Sequence, residues 1–381
     1  MRLAVYTDFS YHRDGSGELW ASEAFGVFVS GLAGRFDRLV LIGRHDPSAA
    51  SARHRLPPGV EFEPLPHYSS LRSLGGVASG ALGSVRAFWR TLAGVDAVWL
   101  MGPHPFSVLF AGLARLRGRR VILGVRQDTA AYMGERYRDR PAFRAAGRML
   151  ELTYRLLSRR FAVVVVGPAL ARSYRGARRL LSIVVSLVEP EDLCDPREVA
   201  SRDYGGELTV LSVGRLDPEK NPLLAADILA GLDGTGRWRL AFCGEGPLRD
   251  ELARRLDAAG LGDRSELLGY VPYRGGLREL YRGSHFLLLT SWTEGLPQVA
   301  LEAFAAGLPV VTTRVGGLPE AAPDAIAAFP AGSAEEGAAR LAALAADAAA
   351  RERQVAAGLS WARLHTASAE ADRIAAFFGA V

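Results

Sequence analysis

The sequence predicts an α/β fold built from two consecutive doubly wound domains, and three observations lead to this class. The chain has 381 residues, which is too long for one ordinary hydrophobic core. Short, nearly continuous apolar runs alternate with longer helical segments, as expected for parallel strands covered by helices on both faces. This alternation starts again after a polar, turn-rich stretch near residue 190, so two domains of the same architecture are expected.

In the first half, an apolar run at the N-terminus is followed by a glycine-containing loop and a helical stretch over residues 19–35. Four further apolar runs indicate strands: RLVLIG, DAVWLMG (96–102), RVILGV (120–125) and FAVVVVG (161–167). We assign residues 1–187 to this first domain. A helical tail, residues 360–381, is expected to pack back onto it.

In the second half, five apolar runs indicate strands: LTVLSVG (208–214), WRLAFCG (238–244), SELLGYV (265–271), HFLLLTS (285–291) and PVVTTR (309–314). We assign residues 188–359 to this second domain. Open α/β sheets bind ligands beyond the carboxyl ends of their strands, so the loops that follow these strands are the places to look for chemistry.

The composition indicates a globular protein, with 49% hydrophobic and 23% charged residues. No apolar run approaches the roughly 20 residues that a spanning helix needs, and the first residues lack the pattern of a signal peptide. Cys194 and Cys243 are too few for a disulfide framework or a zinc site, and both are expected to be packing residues. We therefore expect a cytoplasmic protein.

The charge is distributed unevenly along the chain. Residues 1–190 contain 27 arginines and 14 acidic residues, whereas the rest contains 19 basic and 27 acidic residues. A basic first domain suits an anionic membrane surface or a phosphorylated acceptor, and a merely arginine-rich surface is the alternative. Nucleic acid is disfavoured because no dense basic stripe with interleaved aromatics is present. The segment 136–160 could lie on a membrane, although we favour core positions for its apolar residues Met149, Leu150, Leu152, Leu156 and Leu157.

The chain has 46 basic residues, and Lys220 is the only lysine among them. It lies in the stretch GRLDPEKNP, directly after the predicted strand LTVLSVG. Gly214 allows a tight exit from that strand, and Arg215 and Lys220 then place two cations on the following loop. A forked guanidinium and a compact ammonium together suit a diphosphate, and a solvated turn is the alternative.

The stretch EGLPQVALEAFAAGLPVV predicts a helix from near Pro297 to Gly307, between two strands. Its open N-terminus is a potential phosphate site. Glu294 precedes the helix, and Glu302 lies within it among apolar neighbours. A carboxylate in such surroundings needs a partner, which a sugar or ribose diol could supply. Alternatively, Glu302 faces solvent and Glu294 only complements the helix dipole.

The segment from Glu294 to Thr313 resembles the E-x7-E segment of retaining GT-B glycosyltransferases, specifically glycosyltransferase family 4 with its glycogen-synthase-like C-terminal domain. The resemblance extends to VGRLDPEKN, CGEGPLRDEL, LLGYVP and GGLPE, over about residues 208–320. The first half resembles the family only in its strand order. This resemblance implies a GT-B fold, in which two Rossmann-like domains face a central cleft, with the nucleotide-sugar held mainly by the second domain and the acceptor by the first.

The resemblance also implies roles for individual residues. Arg215 and Lys220 match the pair that contacts the donor diphosphate, and Glu294 matches the acid that holds donor sugar hydroxyls; these three are the predicted catalytic residues. Glu302 matches the acid that binds the nucleotide ribose. The other predicted donor-binding residues are Gly214, Gly244, Glu245 and Gly246 near the nucleotide, Tyr270 and Val271 near the base, and Gly295, Leu296 and Pro297 near the sugar and phosphates.

The first domain departs from the family pattern. Members commonly carry a histidine after two strands of this domain, and His104 in MGPHPFS matches the first place. The second place has Gln127 and Asp128 instead, so acceptor or sugar contacts are predicted at these three residues, with a structural histidine as the alternative. The loops 45–75 and 126–145 are expected to face the acceptor. Two further candidates for contact with the donor phosphates are Gly15 and Gly17, which follow the first strand.

No two aspartates are separated by one residue, and no cluster has the spacing of a transition-metal site. The prediction is therefore a retaining, metal-independent hexosyltransferase without a cofactor, in which basic groups and a helix terminus stabilise the leaving group. Its donor would be a UDP- or GDP-sugar, and its acceptor a hydroxyl of a glycan, a lipid-linked sugar or a small molecule. The alternatives are an epimerase or phosphorylase of the same fold, or a non-catalytic nucleotide-binding protein. A nicotinamide dehydrogenase fits poorly because neither domain starts with a strand-GxGxxG-helix unit.

Overall fold

The computed structural model describes residues 1–48, 54–67, 74–137, 140–232 and 237–381. The predicted acceptor loops, 45–75 and 126–145, therefore lie partly outside the described residues. The chain forms two compact units. Unit 1 consists of Met1–Val185 and Ala367–Val381, and unit 2 consists of Ser186–Thr366.

Unit 1 is a mixed α/β layer structure. Its strands are β1 (Arg2–Arg13), β2 (Leu19–Ala21), β3 (Arg38–His45), β4 (His54–Arg55), β5 (Glu61–Leu65), β6 (Ala97–Gly102), β7 (Arg120–Val125), β8 (Ala162–Val166) and β9 (Arg179–Ile183). Its helices are α1 (Ala24–Ser30), α2 (Leu74–Thr91), α3 (Pro105–Leu116), α4 (Thr129–Arg136), α5 (Pro141–Ser158), α6 (Pro168–Ser173) and, at the C-terminus, α15 (Ala367–Gly379).

The parallel strands of unit 1 lie in the order β5, β3, β1, β6, β7, β8, β9, and β2 and β4 extend the sheet beside the end of β1. From β5 to β9 the chain crosses the sheet in one direction. Right-handed crossovers then place α2, α3, α5 and α6 on one face, and the side chains of these helices share one apolar core with the sheet. On the other face, Trp99 packs between Phe25 of α1 and Phe378 of α15.

The N-terminal part of unit 1 differs from the sequence prediction, because residues 19–21 form strand β2 rather than the start of a helix. The cause is Asp14, whose carboxylate accepts hydrogen bonds from the amides of Ser16 and Glu18 and from the indole of Trp20. These bonds close a hairpin turn that contains Gly15 and Gly17. The helix α1 begins only at Ala24.

Helix α5 corrects a second prediction. Leu150 and Leu157 are partly buried, but Met149, Leu152 and Leu156 are exposed and do not belong to the core. The helix instead buries a stripe of small or polar residues against unit 1, which consists of Gly147, Glu151, Tyr154 and Ser158.

Unit 2 has a fully parallel sheet with helices on both sides. Its strands are β10 (Leu208–Val213), β11 (Trp238–Cys243), β12 (Ser265–Gly269), β13 (Phe286–Leu289), β14 (Val310–Thr313) and β15 (Ile326–Phe329). Its helices are α7 (Pro196–Ala200), α8 (Leu223–Gly231), α9 (Arg249–Ala258), α10 (Leu277–Gly283), α11 (Gln298–Ala305), α12 (Leu318–Ala321), α13 (Ala334–Ala346) and α14 (Ala348–Leu364).

The strand order in unit 2 is β12, β11, β10, β13, β14, β15. The chain runs outward from β10 to β12 and then returns to β13, on the other side of β10. The strand order thus reverses between β10 and β13. In open α/β sheets, a ligand crevice forms at the carboxyl ends of the strands at such a reversal.

The predicted C-terminal tail is two helices that belong to different units. Helix α14 ends at Leu364 in unit 2, and only α15 lies in unit 1, where its Asp372 pairs with Arg35 at 2.9 Å. Both cysteines are free and buried, so they are packing residues as expected. None of the helices within the described residues is both long enough and apolar enough to cross a bilayer.

Candidate functional site

The carboxyl ends of four adjacent strands of unit 2, namely β12, β11, β10 and β13, bring most of the predicted donor-site residues to one edge of the sheet. The loop after β10 carries Gly214 to Lys220, and the loop after β13 carries Glu294 to Pro297. The loops after β11 and β12 lie beside them. Strand order, which the sequence does not display, therefore assembles these separate motifs into one candidate site.

Lys220 and Glu294 form an ion pair at the reversal of strand order. The Lys220 Nζ lies 2.7 Å from Glu294 Oε1, and the Ser291 hydroxyl donates a hydrogen bond of 2.7 Å to the same oxygen. The side chains are 27% and 12% exposed, so the pair is partly buried but open to a ligand. Two further bonds fix the loops to each other, since Thr290 Oγ1 donates to the Lys220 carbonyl at 3.1 Å and the Trp292 amide donates to the Glu219 carbonyl at 2.9 Å.

Arg215 has different partners from Lys220. Its guanidinium binds the carboxylates of Asp217 and Glu219 on the same loop, and more than half of its side chain is exposed. The two cations of the GRLDPEKN loop are therefore held by different carboxylates. Each has an acidic partner, so a diphosphate would exchange with carboxylates rather than meet bare cations.

Glu302 is buried, which excludes the alternative that it faces solvent. The Tyr281 hydroxyl donates a hydrogen bond of 2.9 Å to Glu302 Oε2. Burial raises the pKa of Glu302 to about 7, with the charge of Asp192 adding to the effect and the Tyr281 bond opposing it. The carboxyl group is thus poised between its neutral and ionised forms near neutral pH.

The N-terminus of α11 presents hydrogen-bond donors beside Glu294. Among the hydrogen bonds of the described residues, the amides of Gly295 and Leu296 donate none, and Pro297 stands at the N-cap without a side-chain cap. The Gln298 Nε2 is buried and has no partner within the same residues. Gln298 is not among the residues predicted from the sequence, although a polar residue that opens an otherwise apolar helix is a signal for it.

Glycines hold the loops of the site close together. Gly244 and Gly246 have φ of 154° and 156°, and a Cβ there would overlap the backbone of Gly214 and Leu216, respectively. Gly316, which is not among the predicted site residues, has φ of 70°, and a Cβ there would overlap the carbonyls of Glu294 and Gly295. These three glycines are required for the close approach of the backbones.

The remaining predicted residues of unit 2 lie at the rim of the same edge. The side chains of Glu245 and Tyr270 are exposed, and Val271 is partly buried. The Gly244 amide donates to the Gly269 carbonyl at 2.7 Å, which joins the loop after β11 to the end of β12. An exposed tyrosine at this place offers a ring face on which a base could stack.

The predicted residues of unit 1 make structural contacts. His104 caps α3, because its Nδ1 accepts from the Phe106 amide at 3.3 Å, and its burial lowers its pKa. Asp128 caps α4 by accepting from the Ala131 amide at 2.9 Å, while the Gln127 side chain is exposed. Gly15 and Gly17 lie in the hairpin turn between β1 and β2. No group of three or more His, Cys, Asp or Glu side chains could hold a metal ion in the part of the chain that the structure describes.

Comparisons with known proteins agree with this site. Residues 198–361 match the family described as Glycosyl transferases group 1. A phosphatidylinositol N-acetylglucosaminyltransferase of Homo sapiens is 33% identical over 146 residues, which are 38% of this chain and 29% of that protein. The 2-deoxystreptamine glucosyltransferase of Streptomyces kanamyceticus is 28% identical over 239 residues, 60% of this chain and 58% of that protein. The chain spans about a third of the length of the first curated relatives that it matches.

Solved structures match the whole chain. HepE of Anabaena in complex with UDP has a TM-score of 0.74 at 16% identity, with 100% of both chains covered. WaaG, a glycosyltransferase involved in lipopolysaccharide biosynthesis, has a TM-score of 0.68 at 17% identity, with 98% of both chains covered. The fold is that of GT-B glycosyltransferases, and the prediction of two Rossmann-like domains is confirmed.

Proposed function

We propose, from the premise that residues 198–361 form a glycosyl transferases group 1 domain, that the chain is a retaining glycosyltransferase. It transfers a hexosyl-type sugar from a nucleoside diphosphate sugar, with UDP or GDP as the nucleotide, to a hydroxyl acceptor. The observation that carries this proposal is the Lys220–Glu294 pair at the reversal of strand order, beside the uncapped N-terminus of α11.

The donor diphosphate is proposed to lie between Lys220 and the donors of the α11 N-terminus. Lys220 moves from Glu294 to a phosphate oxygen, and the amides of Gly295 and Leu296 donate to the same diphosphate. Arg215 exchanges one of its carboxylates for phosphate. These preorganised charges stabilise the negative charge that develops on the leaving diphosphate, which would make a metal ion unnecessary.

Glu294, once released from Lys220, accepts hydrogen bonds from hydroxyls of the donor sugar. The leaving phosphate takes the proton of the acceptor hydroxyl as that oxygen bonds to the anomeric carbon on the face the leaving group departs from. Retention of configuration follows from this same-face reaction. In the ion pair, Lys220 and Glu294 already hold the positions from which they would meet phosphate and sugar.

Glu302 is proposed to bind the ribose. An ionised carboxylate accepts both hydroxyls of a diol, whereas the neutral form accepts them less well. Because the pKa of Glu302 is raised to about 7, nucleotide binding should draw the group into its ionised form. Tyr270 and Val271 are proposed to border the base.

The acceptor is proposed to bind to unit 1, in which Gln127 is the exposed candidate. Two relatives are named for chemically different acceptors, phosphatidylinositol in the human protein and 2-deoxystreptamine in the Streptomyces protein. Both have hydroxyls on a six-membered ring, so inositol phospholipids and aminocyclitols are the acceptors to try first. Peripheral contact with the cytoplasmic face of a membrane is part of the proposal.

Binding and hydrolysis of a panel of UDP-, GDP-, ADP- and dTDP-sugars, with EDTA present, test the proposal. The expected result is tight binding of one nucleotide and slow release of its sugar with retained anomeric configuration. Epimerisation of the sugar without an acceptor would favour the epimerase instead. Binding without any sugar release or transfer would favour a non-catalytic nucleotide-binding protein.

A further inference from the structure

The exposed large apolar side chains of unit 1 lie on one helical layer. Within the described residues of unit 1 they are Leu82, Trp89, Leu109, Leu116, Tyr132, Met149, Leu152 and Leu156. All belong to α2, α3, α4 or α5. Helices α1 and α15, which cover the opposite face of the sheet, have none among these residues. The apolar surface is therefore one-sided.

Helices α3 and α5 expose apolar stripes with the same spacing. The stripe on α3 consists of Pro105, Leu109, Gly112 and Leu116, and the stripe on α5 consists of Ala145, Met149, Leu152 and Leu156. Spacings of four, three and four residues keep each stripe on one side of its helix. The opposite sides are buried, so both stripes point away from the core. Leu116 is 79% exposed, Met149 68% and Leu152 58%.

The charges that accompany these stripes are positive. The sequences of α2, α3 and α6 contain no Asp or Glu, and the one acidic residue of α5, Glu151, is buried and accepts a hydrogen bond from Tyr174. The Arg117 guanidinium covers the Trp89 ring at 4.3 Å. Five further exposed arginines of this layer and its loops form no ion pair with any described residue: Arg86, Arg115, Arg148, Arg159 and Arg160.

We propose that the outer surface of α2, α3 and α5 docks on an anionic lipid bilayer. The leucines, Met149 and Trp89 enter the boundary between headgroups and acyl chains, and the arginines bind lipid phosphates. The charges decide for this partner, because a symmetric dimer through this surface would place arginines against arginines with no exposed acid on α2, α3 or α5 to pair with them. A nucleic acid would leave the leucine stripes without apolar contacts.

Flotation of the full chain with lipid vesicles tests the proposal. One set of vesicles is phosphatidylcholine alone, and the other contains about one quarter phosphatidylglycerol. We expect binding to the anionic vesicles only, and weaker binding as salt shortens the range of the arginine charges. The double variant L152Q/L156Q removes two apolar contacts, and R148A/R159A removes two charges. Each should lower the partition coefficient by about tenfold or more.

Matched controls lie in unit 2. L268Q/L364Q replaces two exposed leucines, and R254A/R353A replaces two exposed arginines; both should bind like the unsubstituted chain. Absence of binding to anionic vesicles, or an equal loss in the controls, would overturn the proposal. So would a concentration-dependent dimer that L152Q/L156Q abolishes, which would make this surface a protein interface. Binding of the donor nucleotide by every variant shows that each is folded and keeps this test separate from the proposed transferase activity.

Discussion

The ammonium of Lys220 lies 2.7 Å from the carboxylate of Glu294, although the two residues are 74 positions apart in the sequence. The pair joins the loops that follow β10 and β13, the two strands between which the strand order reverses. A compact ammonium can reach both Glu294 and a neighbouring phosphate oxygen, whereas a guanidinium is larger and prefers planar, two-point contacts. This requirement accounts for the single lysine in a chain that otherwise uses arginine.

Replacement of Lys220 by alanine should lower the rate of sugar release or transfer by about 10² or more, because one charge that stabilises the leaving diphosphate is lost. The measurement is the steady-state rate with the nucleotide-sugar that the panel identifies. Lys220→Arg should recover only part of the loss. Arg254→Ala, an exposed cation on α9 of the same unit, serves as the control and should leave the rate unchanged. An unaltered rate in Lys220→Ala would remove this residue from the proposed mechanism.

The stability of the chain should fall as the pH rises from about 4.5 to about 7, in part through Glu302. Burial raises the pKa of this group from the ordinary 4.5 to about 7, so the folded state binds more protons than the unfolded state within this window. Its favourable contribution is complete below pH 4.5 and is lost as the pH passes 7. Glu302→Gln stays neutral, so the difference in free energy of unfolding between the two proteins should change by up to about 3 kcal/mol across the window. Urea denaturation at several pH values measures it, and parallel pH profiles would contradict the assignment.

Some of this site follows from the sequence and some does not. Apolar runs and turn residues predicted the strands of unit 2 and the loops that follow them, because burial on both faces leaves a plain signal in sequence. The burial of Glu302 was not decided, since apolar neighbours surround every side of α11 and do not say which side faces the core. Its partner Tyr281 lies on another helix, and only the fold brings the two together.

The errors in unit 1 have equally local causes. The hairpin at residues 14–21 depends on a single aspartate that accepts several hydrogen bonds, which outweighs the helical pattern around it. In α5, the apolar stripe was expected in the core, but the small and polar stripe is buried instead. Glu151 can be buried there because Tyr174 donates a hydrogen bond to it, a contact between residues 23 positions apart.

Tyr281→Phe should weaken nucleotide binding by removing the hydrogen bond that holds Glu302 in place. The unpaired carboxyl group becomes harder to ionise, so the loss of affinity should be about tenfold and largest below pH 7. Tyr174→Phe is a matched control, because it removes another buried bond from a tyrosine to a glutamate, also 2.9 Å long, in unit 1. Both variants should lose about 1–3 kcal/mol of stability, while only Tyr281→Phe should weaken binding in calorimetric titrations. Equal affinities in the two variants would separate Glu302 from the nucleotide.

Gly316→Ala should impair catalysis more than it impairs folding. The residue has φ of 70°, and a methyl group there would overlap the carbonyls of Glu294 and Gly295, while the adjacent Gly317 amide donates to Gly295 at 2.7 Å. The methyl group must therefore push the loop that carries Glu294 away from Lys220. Gly260→Ala is the control, since Gly260 has φ of 68° but open space around the added carbon. Both substitutions should cost about 1–2 kcal/mol of stability through the left-handed backbone, as thermal unfolding would show. Only Gly316→Ala should also lower the rate of sugar transfer, by more than about tenfold, because displaced reacting groups lose their alignment. If the two variants lost activity to the same extent, the contact between Gly316 and the Glu294 loop would be irrelevant to catalysis.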